Sequence, residues 1–147
     1  MGRRRPIFAS LGAGDCDIEV RTANILKKHG LDEFTIECLE LNTQLLDRGR
    51  ASAKVAGVEQ HLSFVETDFN SWTADKQYAG IVASHSLHHM VELEHVFDEV
   101  RRALHPAGYF VATDMIGGMG TCGGRRPSKR CGLFGTSFPG SIAGTIR

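Results

Sequence analysis

Five short apolar runs, separated by spacers that are mostly long enough for a helix, constrain this chain more than any other feature. They occupy residues 7–11 (IFASL), 34–41 (FTIECLEL), 62–67 (LSFVET), 78–84 (YAGIVAS) and 109–113 (YFVAT). Each has the length of a buried strand, and the first ends abruptly in Gly12-Ala13-Gly14. In the spacers, Asp15 or Asp17 is expected to cap a helix that closes with Lys27-Lys28-His29 before Gly30. Asn42 is expected to cap a second helix, with Leu45, Leu46, Gly49, Ala53 and Ala56 on one side and Gly57 as its stop. Leu93, Val96, Phe97, Val100 and Leu104 form one apolar stripe, and Pro106 with Gly108 should end that third helix. Strands alternating with helical crossovers imply an α/β fold, a Rossmann-like doubly wound parallel sheet of five strands.

The 147 residues suit one domain. Their formal charge of zero hides an imbalance: residues 1–116 hold 12 Lys/Arg against all 17 acidic residues, a net of −5. Residues 117–147 hold five Lys/Arg, no acid and nine of the 17 glycines, with no helical or strand period. We therefore divide the chain into a core, 1–116, and a Gly/basic-rich tail, 117–147. The tail reads as a disordered arm, and nucleic acid is not expected as its partner, because aromatics that could stack on bases are not interleaved with its basic residues. No apolar run reaches the ~18 residues of a membrane helix, and Met1–Pro6 leads into no signal-peptide core, so a cytoplasmic protein without membrane attachment is expected. The four cysteines form no CxxC pair and none has a histidine beside it, so no zinc site is expected and the thiols should be reduced.

In such sheets a ligand sits beyond the carboxyl ends of the strands, where the strand order reverses. Glycines at 12 and 14 would let a ligand approach the backbone, although a plain tight turn uses the same residues. Glu40 ends the second strand, where a carboxylate can accept from both hydroxyls of a ribose or stand as a solvated strand-end charge. Asp68 and Phe69 follow the third strand; they could offer an acceptor and an apolar face to a purine, or be a turn aspartate and a core phenylalanine. Taken in order after successive strands, the three groups describe one nucleoside-shaped groove. A dinucleotide would need a glycine at position 17 and a pyrophosphate on the helix N-terminus. The turn instead reads GAGDCD, and two carboxylates there repel a dianion but tolerate a cationic sulfonium compound.

On the stretches FASLGAGDCDIEV, IECLELN, FVETDFN, YAGIVASHSLHHMVELEHVF and LHPAGYFVATDMIG, which run from residue 7 to 117, the chain resembles the class I S-adenosylmethionine-dependent methyltransferases of the bacterial, broadly annotated type. The resemblance implies S-adenosyl-L-methionine as cofactor, with Gly12 and Gly14 lining its methionine moiety, Glu40 its ribose, Asp68 and Phe69 its adenine, and Ser84 beside the transferred methyl. It implies a small-molecule or otherwise unidentified methyl acceptor, and leaves the catalytic residue and oligomeric state open. Three positions depart from the family pattern: Ser10 replaces a common acid, Cys16 a common glycine and Ala79 a common aspartate. His88 and His89, adjacent on what reads as an extended segment, should point to opposite sides and share no metal; their task would be positioning. The alternatives are an inactive cofactor-binding fragment and, less favoured by GAGDCD, a nucleotide-cofactor oxidoreductase.

The resemblance also bears on the tail. Similar proteins continue after the fifth strand as DMIGRNGHMRWPEALE. A permitted coding of residues 117–130 yields GRNGHMRWPEALEA once a single C is inserted after its first codon. The tail is therefore expected to be the product of a one-base deletion. The core should then have strands 1–5 only, lacking two further strands and their helix, with an unpaired edge at the fifth strand.

Overall fold

The computed structural model describes residues 5–114 and 142–146. Its elements follow the apolar runs: β1 (Ile7–Leu11), α1 (Asp17–Lys28), β2 (Thr35–Glu40), α2 (Thr43–Ala56), β3 (Leu62–Glu66), β4 (Tyr78–Ser84), α3 (Leu93–Ala103), β5 (Leu104–Asp114) and β6 (Ile142–Ile146). The strand order is β3-β2-β1-β4-β5-β6. The first five strands are parallel, as the alternation requires. The order reverses between β1 and β4, which leaves a crevice beyond their carboxyl ends.

α2 forms as expected: the Asn42 side chain accepts from the Gln44 N–H at 3.0 Å, and Gly57 stops the helix at φ +68°. α1 starts differently. Neither Asp15 nor Asp17 caps it; the N-cap is Cys16, at φ 61°, with no side-chain capping bond. Cys16 is fully buried, and its Sγ lies 2.7 Å from where a Cβ on Gly49 would stand. Packing of α2 against this turn thus fixes the entry to α1, and local capping chemistry yields to it.

α3 buries Val96, Val100 and Ala103, but ends one residue earlier than its apolar stripe. Leu104 already pairs with Tyr78 as the first residue of β5, and the ladder shifts register before resuming at Gly80 opposite Tyr109. Pro106 and Gly108 lie in that irregularity, where proline is tolerated within a strand.

The expectation of strands 1–5 only, with a bare edge at the fifth, is corrected by β6. It pairs antiparallel with β5, from Asp114 opposite Ile142 to Phe110 opposite Ile146. An edge strand needs only backbone groups to satisfy its neighbour, so side-chain periodicity carries little signal for it. The expected frameshift at Gly117 lies outside the described residues.

Two apolar clusters, one on each face of the sheet, hold the elements. With α3 pack Ala9, Leu11, Leu39, Tyr78, Ile81, Ala83 and Phe110. With α1 and α2 pack Phe8, Phe34, Ile36, Cys38, Leu62 and Phe64. Each also encloses a carboxylate. Glu37 accepts from Lys76 Nζ at 2.8 Å and from the Tyr78 hydroxyl, whose pKa is pushed up by burial and by Glu37. Glu19 accepts from the Ser10 hydroxyl through one oxygen, while its Oε2 is buried with no partner.

Candidate functional site

The crevice is built on the peptide that follows β1. Gly12 and Ala13 both donate their N–H groups to the Leu39 carbonyl, at 2.8 and 3.0 Å. Gly12 has φ +68°, and a Cβ there would stand 2.5 Å from Ser86 Cβ. Gly14, at φ +60°, donates its N–H to Glu40 Oε2 at 2.9 Å, and the other Glu40 oxygen accepts from the Asn42 N–H at 3.0 Å. The Glu40 carboxylate is thereby oriented by two backbone donors, while each oxygen retains a lone pair for a further donor.

After β3 the chain turns on Asp68, whose Oδ1 accepts from the Asn70 N–H at 2.9 Å. Phe69 is half-buried and meets Trp72 edge-on, with ring centroids 6.2 Å apart. After β4, His85 adopts φ 51° and donates its N–H to the Thr113 carbonyl. Ser86 is buried and donates its hydroxyl to the Leu11 carbonyl at 2.7 Å.

Leu87–His89 then form a 3₁₀ turn, not the extended segment read from sequence. The rings of His88 and His89 consequently lie close, with centroids 3.9 Å apart, rather than on opposite sides. His88 is held by Asp114 at the end of β5, through its backbone N–H at 3.1 Å and Nδ1 at 2.8 Å. Among the described residues no group of three or more His, Cys, Asp or Glu is gathered as a metal would require.

These loops enclose a cleft of about 420 Å³. Gly12, Gly14, Glu40, Asp68 and Phe69, drawn from three separate loops, all line it. Ser84 does not; its Oγ accepts from Thr113 Oγ1 at 3.3 Å. The cleft adds Leu41 and Leu45 at the start of α2, Asn70, and His85, Ser86, His89 and Met90 after β4. Leu45 reads from sequence as a helix-core position and Leu41 as the end of a strand, so neither carries a binding signal of its own. Among the described residues the lining holds the carboxylates of Glu40 and Asp68 and no lysine or arginine. Asp17 and Glu19 occupy the first turn of the adjoining helix, so its N-terminus offers no free positive end to a phosphate. The cleft therefore suits a ligand with hydroxyl and amino donors, one planar apolar part and no dense negative charge.

The family model described as a methyltransferase domain matches residues 14–112. No curated protein sequence matches the chain. Among solved structures, the glycopeptide N-methyltransferase MtfA, complexed with sinefungin, is 23% identical over 74% of this chain and 43% of its own, with a TM-score of 0.62. A SAM-dependent methyltransferase from Geobacter sulfurreducens, in complex with S-adenosyl-L-homocysteine, is 13% identical over 78% of this chain and 43% of its own, with a TM-score of 0.61. The cyclase SpnF is 20% identical over 75% of this chain and 39% of its own, with a TM-score of 0.66. At these identities the likeness establishes the fold, and the chain spans less than half the length of each structure.

Proposed function

We propose, from the premise that this chain belongs to the methyltransferase-domain family whose model it matches over residues 14–112, that its cleft binds S-adenosyl-L-methionine for transfer of a methyl group. The observation that carries this reading is Glu40, oriented by the Gly14 and Asn42 N–H groups and open to the cleft beside two left-handed glycines. In that reading Glu40 accepts from the ribose hydroxyls. Asp68 accepts from the adenine amine while Phe69 covers the base. Gly12 and Gly14 leave room along the backbone for the methionine part, which an added side chain would take. Glu40 and Asp68 also favour the cationic donor over the neutral product by Coulomb attraction.

When bound, the cofactor supplies a methyl group activated on a sulfonium sulfur. The chain's own contribution is alignment: loops at the carboxyl ends of the strands fix the donor so that an acceptor can approach in line, which can supply much of the rate. His89 lines that cleft, with His88, held by Asp114, beside it, and we assign both to positioning. The acceptor, a small molecule or a compound of another class, is unassigned. A reducing, cytosolic setting fits Cys16 and Cys38, both buried and free. Among the described residues no helix is long and apolar enough to cross a membrane.

Calorimetric titration of the purified chain with S-adenosylhomocysteine, sinefungin and NADH tests the reading. Both adenosyl compounds should bind and NADH should not. Glu40→Ala should weaken S-adenosylhomocysteine binding by about 1–3 kcal/mol, or roughly 5- to 150-fold. An unchanged affinity in that variant would remove Glu40 from the site, and preferential binding of NADH would favour an oxidoreductase.

A further inference from the structure

We propose that Ser86 is the positioning residue of the cleft, the group that sets the glycine turn in its binding geometry; the proposal rests on the cofactor reading above. Four observations converge on it. His85 takes a left-handed conformation, uncommon outside glycine, with its N–H tied to the Thr113 carbonyl. That bend brings Ser86 back against the end of β1, where the residue is 5% exposed. Its hydroxyl donates to the Leu11 carbonyl at 2.7 Å. Its Cβ fills the space a Cβ on Gly12 would need, at 2.5 Å.

The Leu11 carbonyl and the Gly12 N–H belong to one planar peptide unit. Ser86 holds the carbonyl end, and the Leu39 carbonyl accepts from the N–H end at 2.8 Å. A single peptide is thus clamped between the loop after β4 and the end of β2. Rotation of that plane would turn the backbone that follows it, and Gly14 with it, away from Glu40. The Ser86 carbonyl also accepts from the His89 N–H at 3.1 Å, opening the 3₁₀ turn that carries His89 to the cleft. One residue therefore couples the glycine turn to the opposite wall, and the clamp is in place before a ligand arrives. Without the hydroxyl, the hold of the β4 loop on this peptide is lost and the turn must be ordered on binding, at the expense of affinity.

The test uses the full chain and S-adenosylhomocysteine as probe, with the dissociation constant and the urea midpoint measured for each variant. Ser86→Ala and Ser86→Cys, the second of which keeps the volume but lacks a strong donor, should each lose about tenfold in affinity. Gly12→Ala should lose about a hundredfold or more, because it meets Ser86 Cβ and adopts a left-handed turn. The double variant Gly12→Ala with Ser86→Gly removes that clash, so its loss should be smaller than the single losses combined. A merely structural Ser86 would lower the urea midpoint and leave the affinity of the folded chain unmoved. Ser86→Ala binding within about twofold of the unaltered chain overturns the proposal; should that variant not fold, strictly additive losses in the double-variant cycle overturn it. If the unaltered chain binds no S-adenosylhomocysteine, the cofactor reading fails and takes the proposal with it, an outcome distinct from binding that ignores Ser86.

Discussion

On the face that carries α3, residues of β1, β2, β4 and β5 are buried, Phe110 to 2% exposure, whereas on the face that carries α1 and α2 coverage by the described residues stops at β1. There Val82, Tyr109 and Val111 are 37%, 48% and 36% exposed. The buried carboxylates repeat the contrast. Glu37 has Lys76 and the Tyr78 hydroxyl as partners, while Glu19 has Ser10 and one oxygen left without a bond. The cleft draws on the well-covered part of the molecule. The loops of β1 and β2, which hold Gly12, Gly14 and Glu40, spring from strands packed on both faces, so this part of the site is preorganised where the fold is most complete.

The sharpest way to test that contrast is with neighbouring residues of β5, which point to opposite faces. Phe110→Ala removes a buried ring that meets Phe97 edge-on and should cost about 3–5 kcal/mol in urea unfolding. Val111→Ala should cost less than about 1 kcal/mol. Equal losses would mean that the second face is as well covered as the first. Next in size, Glu37→Ala strands the Tyr78 hydroxyl and should cost about 2 kcal/mol, with little from Lys76, which is partly exposed.

The Glu19 prediction is one of pH. Desolvation raises its pKa above the ordinary value of 4.5, so between the two values the folded chain binds more protons than the unfolded one. Stability then falls as pH rises from about 4.5 through the folded pKa. Glu19→Gln should flatten that stretch of the profile, measured as urea midpoints from pH 4 to 8. A profile the same as that of the unaltered chain would place the proton linkage elsewhere. Smallest of all, Val82→Thr on the exposed strand face should stay within about 0.5 kcal/mol.

The legible parts of this fold are those where one local rule faces no competitor. Apolar runs gave β1 to β4 nearly to the residue, and Asn42 with Gly57 bounded α2, because capping there meets no tertiary contact that opposes it. The rule failed at α1, where burial of Cys16 against Gly49 overrode the acidic cap candidates. It failed again at β6, which is recruited by the open edge of β5 and whose five residues, IAGTI, carry no marked pattern of their own. In the cleft, Gly12, Gly14, Glu40, Asp68 and Phe69 were readable because each follows a strand end, and strand ends converge in a parallel sheet. Ser84 was expected among them for the same reason, but the left-handed bend at His85 puts the next residue, Ser86, in the cleft instead. His88 and His89 were misplaced for a related cause: a 3₁₀ turn brings together rings that an extended segment would separate.

The most direct test of the account is to map amide shifts of the ¹⁵N-labelled full chain during titration with S-adenosylhomocysteine. The account predicts that Gly12, Gly14, Asn42, Phe69 and Ser86 move together along one saturation curve, while Arg5 and His61, at the amino ends of the strands, stay in place. Shifts that leave the glycine turn and Glu40 still, or that gather instead on the exposed face around Val82 and Ile18, would contradict it.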